Sequence, residues 1–150
     1  MRIWTECFDT AAGLASFAER HPDAGAMTSF MGQVRGEPDV QALEITHYPP
    51  LTLPGMQDLA AEAQRRWRTS ALLVWHRVGT MRPGDAIVLV AAAARHRRAA
   101  FHAVDFLTDH LKATAFFWKR EQRAGGWHWI APRAEDYDDL ARWREADARP

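Results

Sequence analysis

The stretch ARHRRAAFHAVDFLTDHLKATAFFWKREQR, residues 94–123, contains a basic cluster, an amphipathic segment and both lysines of the chain. Its apolar residues recur at the three-and-four spacing of one buried helical face, which predicts a helix over 97–113. The aromatic run that follows is too short for a second helix and is rich in strand-forming side chains. It predicts a strand over 116–121, so a helix leads almost directly into a strand here.

Lys112 and Lys119 stand out because every other member of the 19 Lys+Arg is an arginine. Arginine keeps its charge, whereas burial can lower the pKa of a lysine until it serves as a base or a nucleophile. The pair is therefore a candidate for chemistry. For Lys112 a structural role is the stronger alternative, because a cation in the last turn complements the helix dipole and Asp109 would be an ordinary surface partner.

Lys119 shares one face of the predicted strand with Phe117, while Phe116 and Trp118 share the other face. We therefore expect Lys119 at the rim of a cleft with an aromatic floor. The alternative is an edge-strand lysine whose charge discourages aggregation.

His96 and Arg97 fall in the first turn of the predicted helix, where cations oppose the helix dipole and gain nothing locally. Free backbone N–H groups at a helix N-terminus, flanked by histidine and arginine, form a site for phosphate or carboxylate. The alternative is a solvated arginine run on a surface helix.

The rest of the chain alternates short helices with strands that pair as hairpins. Strands are predicted over 2–8, 25–34, 40–48, 71–78, 86–93 and 127–130, and further helices over 10–20, 55–68 and 135–145. The strand over 40–48 is expected to run antiparallel to its predecessor, and Trp127 and Trp129 are expected in core or dimer packing. The pattern predicts one α+β domain, residues 1–150, with a mostly antiparallel sheet and flanking helices.

Composition disfavours several classes of protein. The formal net charge of +0 is unusual for a nucleic-acid-binding protein, so RNA binding through the basic cluster is the weakest reading. The histidines form no HExxH pair, which makes a zinc enzyme improbable, and we expect no metal site. The longest apolar run, over 86–94, is too short to cross a bilayer.

Cys7 is the single cysteine, which excludes an intramolecular disulfide and fits a reducing cytoplasm. It falls in the first predicted strand, so we expect a buried, inert thiol. Glu6 and Asp9 stand where a signal peptide would need an apolar core. The sequence therefore predicts a cytoplasmic location without a membrane partner.

Six segments together resemble the large, catalytic subunit of molybdopterin synthase. They are GAMTSFMGQVRG (25–36), LEITHYP (43–49), HRVGTMRPGD (76–85), HRRAAF (96–101), DHLKATAFFWKRE (109–121) and WHWIAPRAED (127–136). They occur in order over nearly the whole chain, and the LK…FWKRE signature is specific. The resemblance implies the α/β-hammerhead fold of that subunit.

The resemblance also implies a reaction. Enzymes of this family convert cyclic pyranopterin monophosphate, the substrate, into molybdopterin and bind no permanent cofactor. The sulfur comes from the C-terminal thiocarboxylate of a small ubiquitin-like partner subunit, whose tail threads into the large subunit. The implied assembly is a homodimer of large subunits with one small subunit at each end. A single cysteine agrees with imported sulfur.

Roles follow from the matching positions. Lys112 matches the lysine beside the incoming thiocarboxylate, and Lys119 matches the second active-site lysine, suited to pterin contact and charge stabilisation. His96 and Arg97 match the anion-binding pair, which we assign to the substrate phosphate. The remaining pocket arginines of the family match Arg35 and Arg133. In the dimer, some of these residues are expected to serve the neighbouring subunit's pocket.

Three departures from the family pattern bear on local geometry. Ala94 replaces a usual serine, which predicts a weaker helix cap. Phe116 replaces a usual proline, and the segment 49–56 is unusually rich in proline. The alternative function is a non-catalytic module that binds a phosphorylated ligand or the partner's tail. Retention of both lysines in an arginine-rich chain speaks against it.

Overall fold

Two four-stranded sheets form the frame of the protein in a computed structural model, which describes residues 1–114 and 116–147. The elements in chain order are β1 (Arg2–Trp4), α1 (Thr10–Glu19), β2 (Ala26–Gln33), β3 (Ala42–His47), α2 (Pro49–Trp67), β4 (Ala71–Arg77), β5 (Gly79–Met81), β6 (Ala86–Ala94), α3 (Arg97–Ala113), β7 (Phe117–Arg123), β8 (Gly126–Ile130) and α4 (Ala134–Asp147). The predicted α+β class is confirmed, although the strands form two sheets rather than one.

The first sheet has the order β1-β4-β6-β2, with β1 and β4 parallel and the other pairs antiparallel. Its central strand β6 is buried along most of its length and reads as a continuous apolar run because both faces are covered. Val90 and Ala92 face α2 and α3, whereas Leu89 and Ala91 face Phe17 of α1. The small alanines allow the long helix α3 to lie close to the sheet.

The second sheet has the order β5-β3-β7-β8 and is antiparallel throughout. Leu43, Ile45 and Met81 of its inner face are buried together with Val34 and Val78 from the segments that join the two sheets. The predicted pairing of the strand over 40–48 with its predecessor is wrong, because β3 lies between β5 and β7. β5 falls between the strands predicted over 71–78 and 86–93, where the sequence predicted no strand.

Helix α4 packs against the C-terminal half of α3 and is hydrogen-bonded to it. The carboxylate of Asp109 accepts hydrogen bonds from Arg142 Nη2 at 2.6 Å and from Trp143 Nε1 at 2.7 Å, and Asp105 accepts a further bond from Arg142 at 2.9 Å. Trp143 is buried among residues of α3, where it joins the main core. The expected pair between Asp109 and Lys112 is therefore replaced by contacts with α4.

The start of α2 corrects the predicted boundary. The helix begins at Pro49 rather than near Gly55, with Tyr48 as N-cap and the first prolines at the N1 and N2 positions. Proline suits these positions because its fixed φ is helical and the first-turn N–H groups have no intrahelical acceptor. A proline-rich segment thus lies within the helix rather than before it.

Two further predictions are wrong in detail, and a third is corrected in part. β1 ends at Trp4, so Cys7 lies outside it and is exposed rather than buried. Ala94 is the buried last residue of β6, and the N-cap of α3 is His96, which makes no side-chain capping bond. Of the two alternatives for Trp127 and Trp129, core packing is wrong, because they are 37% and 68% exposed, and dimer packing stays a prediction. Among the described residues, no helix has the length and hydropathy needed to span a bilayer.

Candidate active site

Two adjoining cavities lie where α3, β2 and the second sheet meet. Their volumes are about 420 and 220 Å³. Both are lined by Gln33, Arg35, Ile87, Lys112 and Lys119, so these five residues form the boundary between the two spaces. The two lysines come from elements joined by a short connection, which explains why they reach one place from opposite walls.

Lys119 projects from β7 beside Ile45, its cross-strand partner on the buried inner face of the sheet. Burial and the nearby charge of Lys112 together lower the pKa of Lys119 to about 8, while Asp136 opposes the shift. At neutral pH the side chain is a cation that can lose its proton within the physiological range. Such a group can neutralise a developing negative charge or transfer a proton.

Lys112 lies in the last turn of α3 and is exposed at the cavity wall. Its neighbour Asp109 is engaged by α4 and so does not draw the ammonium away from the cavity. The helix end is also held from the other side, because the Thr52 hydroxyl lies 2.9 Å from the carbonyl of Tyr48 and 3.2 Å from that of Phe116. The start of α2 thus supports the connection between the two lysines.

The Phe116 ring lies over Gly55 of α2. A Cβ built on Gly55 would lie 2.3 Å from Cε1 of the Phe116 ring, so only glycine fits there without a shift. The two departures noted in the sequence, Phe116 and the proline-rich segment, are therefore in contact with each other. Ala115, between the lysines, lies outside the described residues.

His76 forms part of the floor of the larger cavity, a position for which the sequence alone had suggested no role. Its Nδ1 lies 2.9 Å from the carbonyl of Arg77, and since a carbonyl can only accept, Nδ1 carries the proton. Nε2 is then unprotonated. Burial lowers the pKa of His76 to about 3, with a further contribution from the charge of Lys119, so the ring is neutral at physiological pH.

The imidazole of His76 stacks on Phe117, which sits two residues before Lys119 on the same strand face. The predicted arrangement of an aromatic floor beneath Lys119 is confirmed for Phe117, while Trp118 points away and is 46% exposed. No feature of the local sequence around His76 could have revealed this partner, because the two residues lie on strands of different sheets.

Arg35 and Arg133 both line the smaller cavity. Arg35 follows β2 and makes a loose ion pair with Glu37 at 3.5 Å. Arg133 precedes α4, and its backbone N–H donates to the Asp136 carboxylate at 2.7 Å. The structure therefore brings Lys112, Lys119, Arg35 and Arg133 together around one space with the charge to hold an anionic substrate.

His96 and Arg97 are not part of this cluster within one chain. They begin α3, are exposed and line neither cavity. From Arg97 to Lys112 the helix rises about 22 Å at roughly 1.5 Å per residue. The basic cluster and the lysines thus occupy opposite ends of one helix.

Among the described residues no group of three or more His, Cys, Asp or Glu side chains is arranged to hold a metal ion.

Comparison with known proteins agrees with this geometry. The sequence model of the MoaE protein family matches residues 3–114. The molybdopterin synthase catalytic subunit of Mesorhizobium japonicum is 42% identical over 149 residues, covering 97% of this chain and 94% of that protein.

Solved structures show the same fold. The molybdopterin biosynthesis MoaE protein of Burkholderia ambifaria superposes with a TM-score of 0.81 at 43% identity, covering 95% of both chains. A complex of subunits 1 and 2 of the molybdopterin-converting factor of Helicobacter pylori contains a chain with a TM-score of 0.77 at 22% identity, covering 88% of this chain and 90% of that one. From the family match, the identity over nearly the whole chain and the shared fold, this chain belongs to the MoaE protein family.

Proposed function

We propose that this chain is the catalytic subunit of a molybdopterin synthase, which converts cyclic pyranopterin monophosphate into molybdopterin with sulfur from the C-terminal thiocarboxylate of a small partner subunit. One observation carries the proposal. Two lysines and two arginines converge on one cavity, in a chain about 40% identical to named catalytic subunits over most of its length.

The charges of the site suit both reactants, which are anions. A thiocarboxylate that enters the cavity brings a negative charge next to the ammonium of Lys112, the more exposed of the two lysines. Lys119, half-buried beside His76 and Phe117, faces the pterin ring and neutralises charge that develops when the sulfur adds to it. Arg35 and Arg133 line the route by which the anionic tail reaches them.

The sulfur must come from outside the chain. Cys7 is the only cysteine, lies between β1 and α1 and lines neither cavity. A sulfur transferase without a thiol in its site requires an external donor, for which a second protein is proposed here, and the Helicobacter pylori relative was solved as a complex of two subunits. The single thiol also fits a reducing, cytoplasmic setting, which we include in the proposal.

A homodimer would supply the missing phosphate site. β2 is an edge strand of the first sheet and exposes Met27, Phe30 and Met31, as expected of a surface that a second copy covers. Two copies related by a twofold axis near the middle of β2 would reverse the direction of the neighbouring strand and helix.

The length of β2 and the distance between Arg97 and Lys112 along α3 agree with this twofold arrangement. β2 spans roughly 27 Å at about 3.4 Å per residue, close to the roughly 22 Å between Arg97 and Lys112. The start of β2 pairs with Ala94, just before His96, and its end lies at the cavity. The twofold axis would therefore bring His96 and Arg97 of one copy to the lysines of the other, where they would bind the substrate phosphate.

Turnover tests the proposal. Purified protein is mixed with a thiocarboxylated small subunit and cyclic pyranopterin monophosphate, and molybdopterin is quantified for the wild type and Lys112→Ala. We expect product from the wild type and little from the variant. If a folded wild type binds the partner but forms no product, the enzymatic function is wrong and the chain is a binding module for the partner's tail.

A further inference from the structure

His76 presents an unused hydrogen-bond acceptor to the larger cavity. Within the described part of the chain, Nε2 of His76 makes no hydrogen bond, since the ring is bonded only through Nδ1. Nε2 also differs from Nδ1 of His47, which is sealed in the interior without a partner. Because the His76 ring lines the larger cavity, Nε2 is the polar atom that it offers to a ligand there.

Two contacts keep Nε2 an acceptor. Nδ1 donates to the carbonyl of Arg77 at 2.9 Å, and the other tautomer would turn a lone pair of Nδ1 against that oxygen. The ring also lies flat on Phe117, with 3.7 Å between the centroids, which opposes a rotation that would break this bond. His76 therefore cannot switch from acceptor to donor without losing a buried hydrogen bond.

The charge state of His76 favours recognition over proton transfer. Burial, and after it the charge of Lys119, lowers the pKa of His76 to about 3. A group with this pKa stays neutral at physiological pH and is a poor general base, because an efficient base has a pKa near the working pH. Nε2 can still accept a hydrogen bond from a ligand.

The other polar groups of the larger cavity do not duplicate this acceptor. Three of them donate as cations: Arg35, Lys112 and Lys119. The carboxylate of Asp109 is bonded to α4, and the hydroxyl of Thr108 donates to the carbonyl of Asp105 at 2.9 Å. The amide of Gln33 can turn to donate or to accept. His76 thus supplies the acceptor whose chemistry is fixed by its surroundings.

The remaining wall of the larger cavity suits a flat ring. It is formed by apolar residues of β2, β6 and α3 and by the segment before β6, namely Phe30, Gly32, Ile87, Val88 and Leu111. A volume of about 420 Å³ is in the range of sites for small organic ligands. A planar heterocycle would place its faces against these side chains and an N–H of its edge against Nε2.

We propose that Nε2 of His76 accepts a hydrogen bond from a pyrazine N–H of the substrate and thereby makes the site select a reduced pterin over an oxidised one. The proposal rests on the proposed function, which places a pterin ring beside Lys119. A reduced pyrazine ring carries N–H groups, whereas the oxidised, aromatic ring has lone pairs on the same nitrogens. With the oxidised ring, Nε2 would stay unpaired and face another lone pair, and such unpaired polar groups are how a site rejects a wrong ligand.

Binding of two forms of one ligand tests the proposal. Cyclic pyranopterin monophosphate and its oxidised, aromatic form are titrated in the absence of oxygen into the purified protein without the small subunit, and Kd is measured by calorimetry. We expect the wild type to bind the reduced form at least tenfold more tightly, because the oxidised form leaves a buried acceptor unpaired. Equal Kd values for the two forms would overturn the proposal.

Matched variants separate recognition from a structural effect. His76→Phe keeps an aromatic ring on Phe117 but has no acceptor, so the ratio of the two Kd values should fall to about one. Thr108→Val changes the same cavity without touching His76 and should keep the wild-type ratio. A purely structural role of His76 would weaken both forms equally, and an unchanged ratio in His76→Phe would overturn the proposal.

Nitrogen NMR of the wild type tests the same bond without a variant. In protein with ¹⁵N-labelled histidine, Nε2 of His76 should have the shift of an unprotonated ring nitrogen. The signal should move towards the protonated value with the reduced form and not with the oxidised form. A protonated Nε2 in the free protein would overturn the proposal. If the wild type binds neither form, the pterin substrate of the proposed function is wrong, and the role of His76 falls with it.

Discussion

The imidazole of His76 lies flat on the ring of Phe117, with centroids 3.7 Å apart and an angle of 10° between the planes. This contact joins the first sheet to the second directly beneath Lys119. It also holds a neutral histidine that is almost fully buried, because His76 is 3% exposed. The stability of the junction should therefore depend on pH.

Acid should weaken the fold through His76. Its pKa is about 3 in the folded chain and about 6.5 when unfolded, so its contribution to stability is complete above pH 6.5 and is lost as the pH falls towards 3. Between pH 7 and pH 5 the loss is ~2 kcal/mol. Urea unfolding at the two pH values measures it. The His76→Gln variant should be less stable at pH 7 but show a flatter pH dependence; parallel curves would contradict the assignment.

The pKa of Lys119 should shift in opposite directions when two neighbouring charges, Lys112 and Asp136, are removed in turn. Its pKa of about 8 is lowered by Lys112 and raised by Asp136. We expect Lys112→Met to raise this pKa and Asp136→Asn to lower it. With isotopically labelled lysine only two side-chain signals are present, so the titration of Lys119 can be followed by NMR. Shifts in the same direction for both variants would contradict the electrostatic explanation.

Activity should follow the same titration. If the ammonium form of Lys119 stabilises charge, the rate falls as the pH rises through about 8, and Asp136→Asn moves this falling limb to lower pH. The pH profile of kcat with saturating partner measures it. The variant keeps an acceptor oxygen for the Arg133 N–H, so the start of α4 should stay intact. If the fall of kcat stays at the same pH in Asp136→Asn, a group other than Lys119 causes it.

Complementary variants should reveal the shared site of the dimer. Lys119→Ala and Arg97→Ala homodimers should each be nearly inactive. When the two are unfolded together and refolded as a mixture, half of the dimers pair unlike chains, and one of the two sites in each is intact. Activity should recover to about a quarter of the wild type. No recovery, with exchange verified by mass spectrometry, would mean that each chain builds its site alone.

The contact between Gly55 and Phe116 should make glycine essential there. An alanine in a helix interior normally stabilises by about 1 kcal/mol relative to glycine, but the 2.3 Å approach reverses the sign here. We expect Gly55→Ala to cost ~1–3 kcal/mol in urea unfolding and to lower kcat by displacing the connection between the lysines. In a Phe116→Ala background the same change should be neutral or stabilising. A loss of equal size in both backgrounds would place the cause elsewhere.

The sequence predicted local features of the site well and its distant contacts poorly. The helix over 97–113 and the face shared by Phe117 and Lys119 follow from periodicity, and both are present. The role of His76 and the support of Phe116 by α2 depend on residues from other elements, which no local pattern contains. The end of β1 at Trp4 also escaped prediction, because a short edge strand has too few residues to show an alternation.

The position of His96 and Arg97 shows a different limit. The sequence predicted an anion site for them, which stays a prediction, whereas their separation from the lysines required the length and direction of α3. Resemblance to a family named the candidate residues and could not say which chain each one serves.

In the proposed dimer, the length of α3 matters to the assembly as well as to the single chain. There, an insertion of one helical turn, about 5.4 Å, would move His96 and Arg97 past the neighbour's lysines without unfolding either subunit. Two added residues in β2, about 6.8 Å, would move the neighbour by a comparable distance and partly restore the match. If the proposed dimer forms, the lengths of α3 and β2 must change together, and relatives with a longer α3 are expected to have a longer β2 as well.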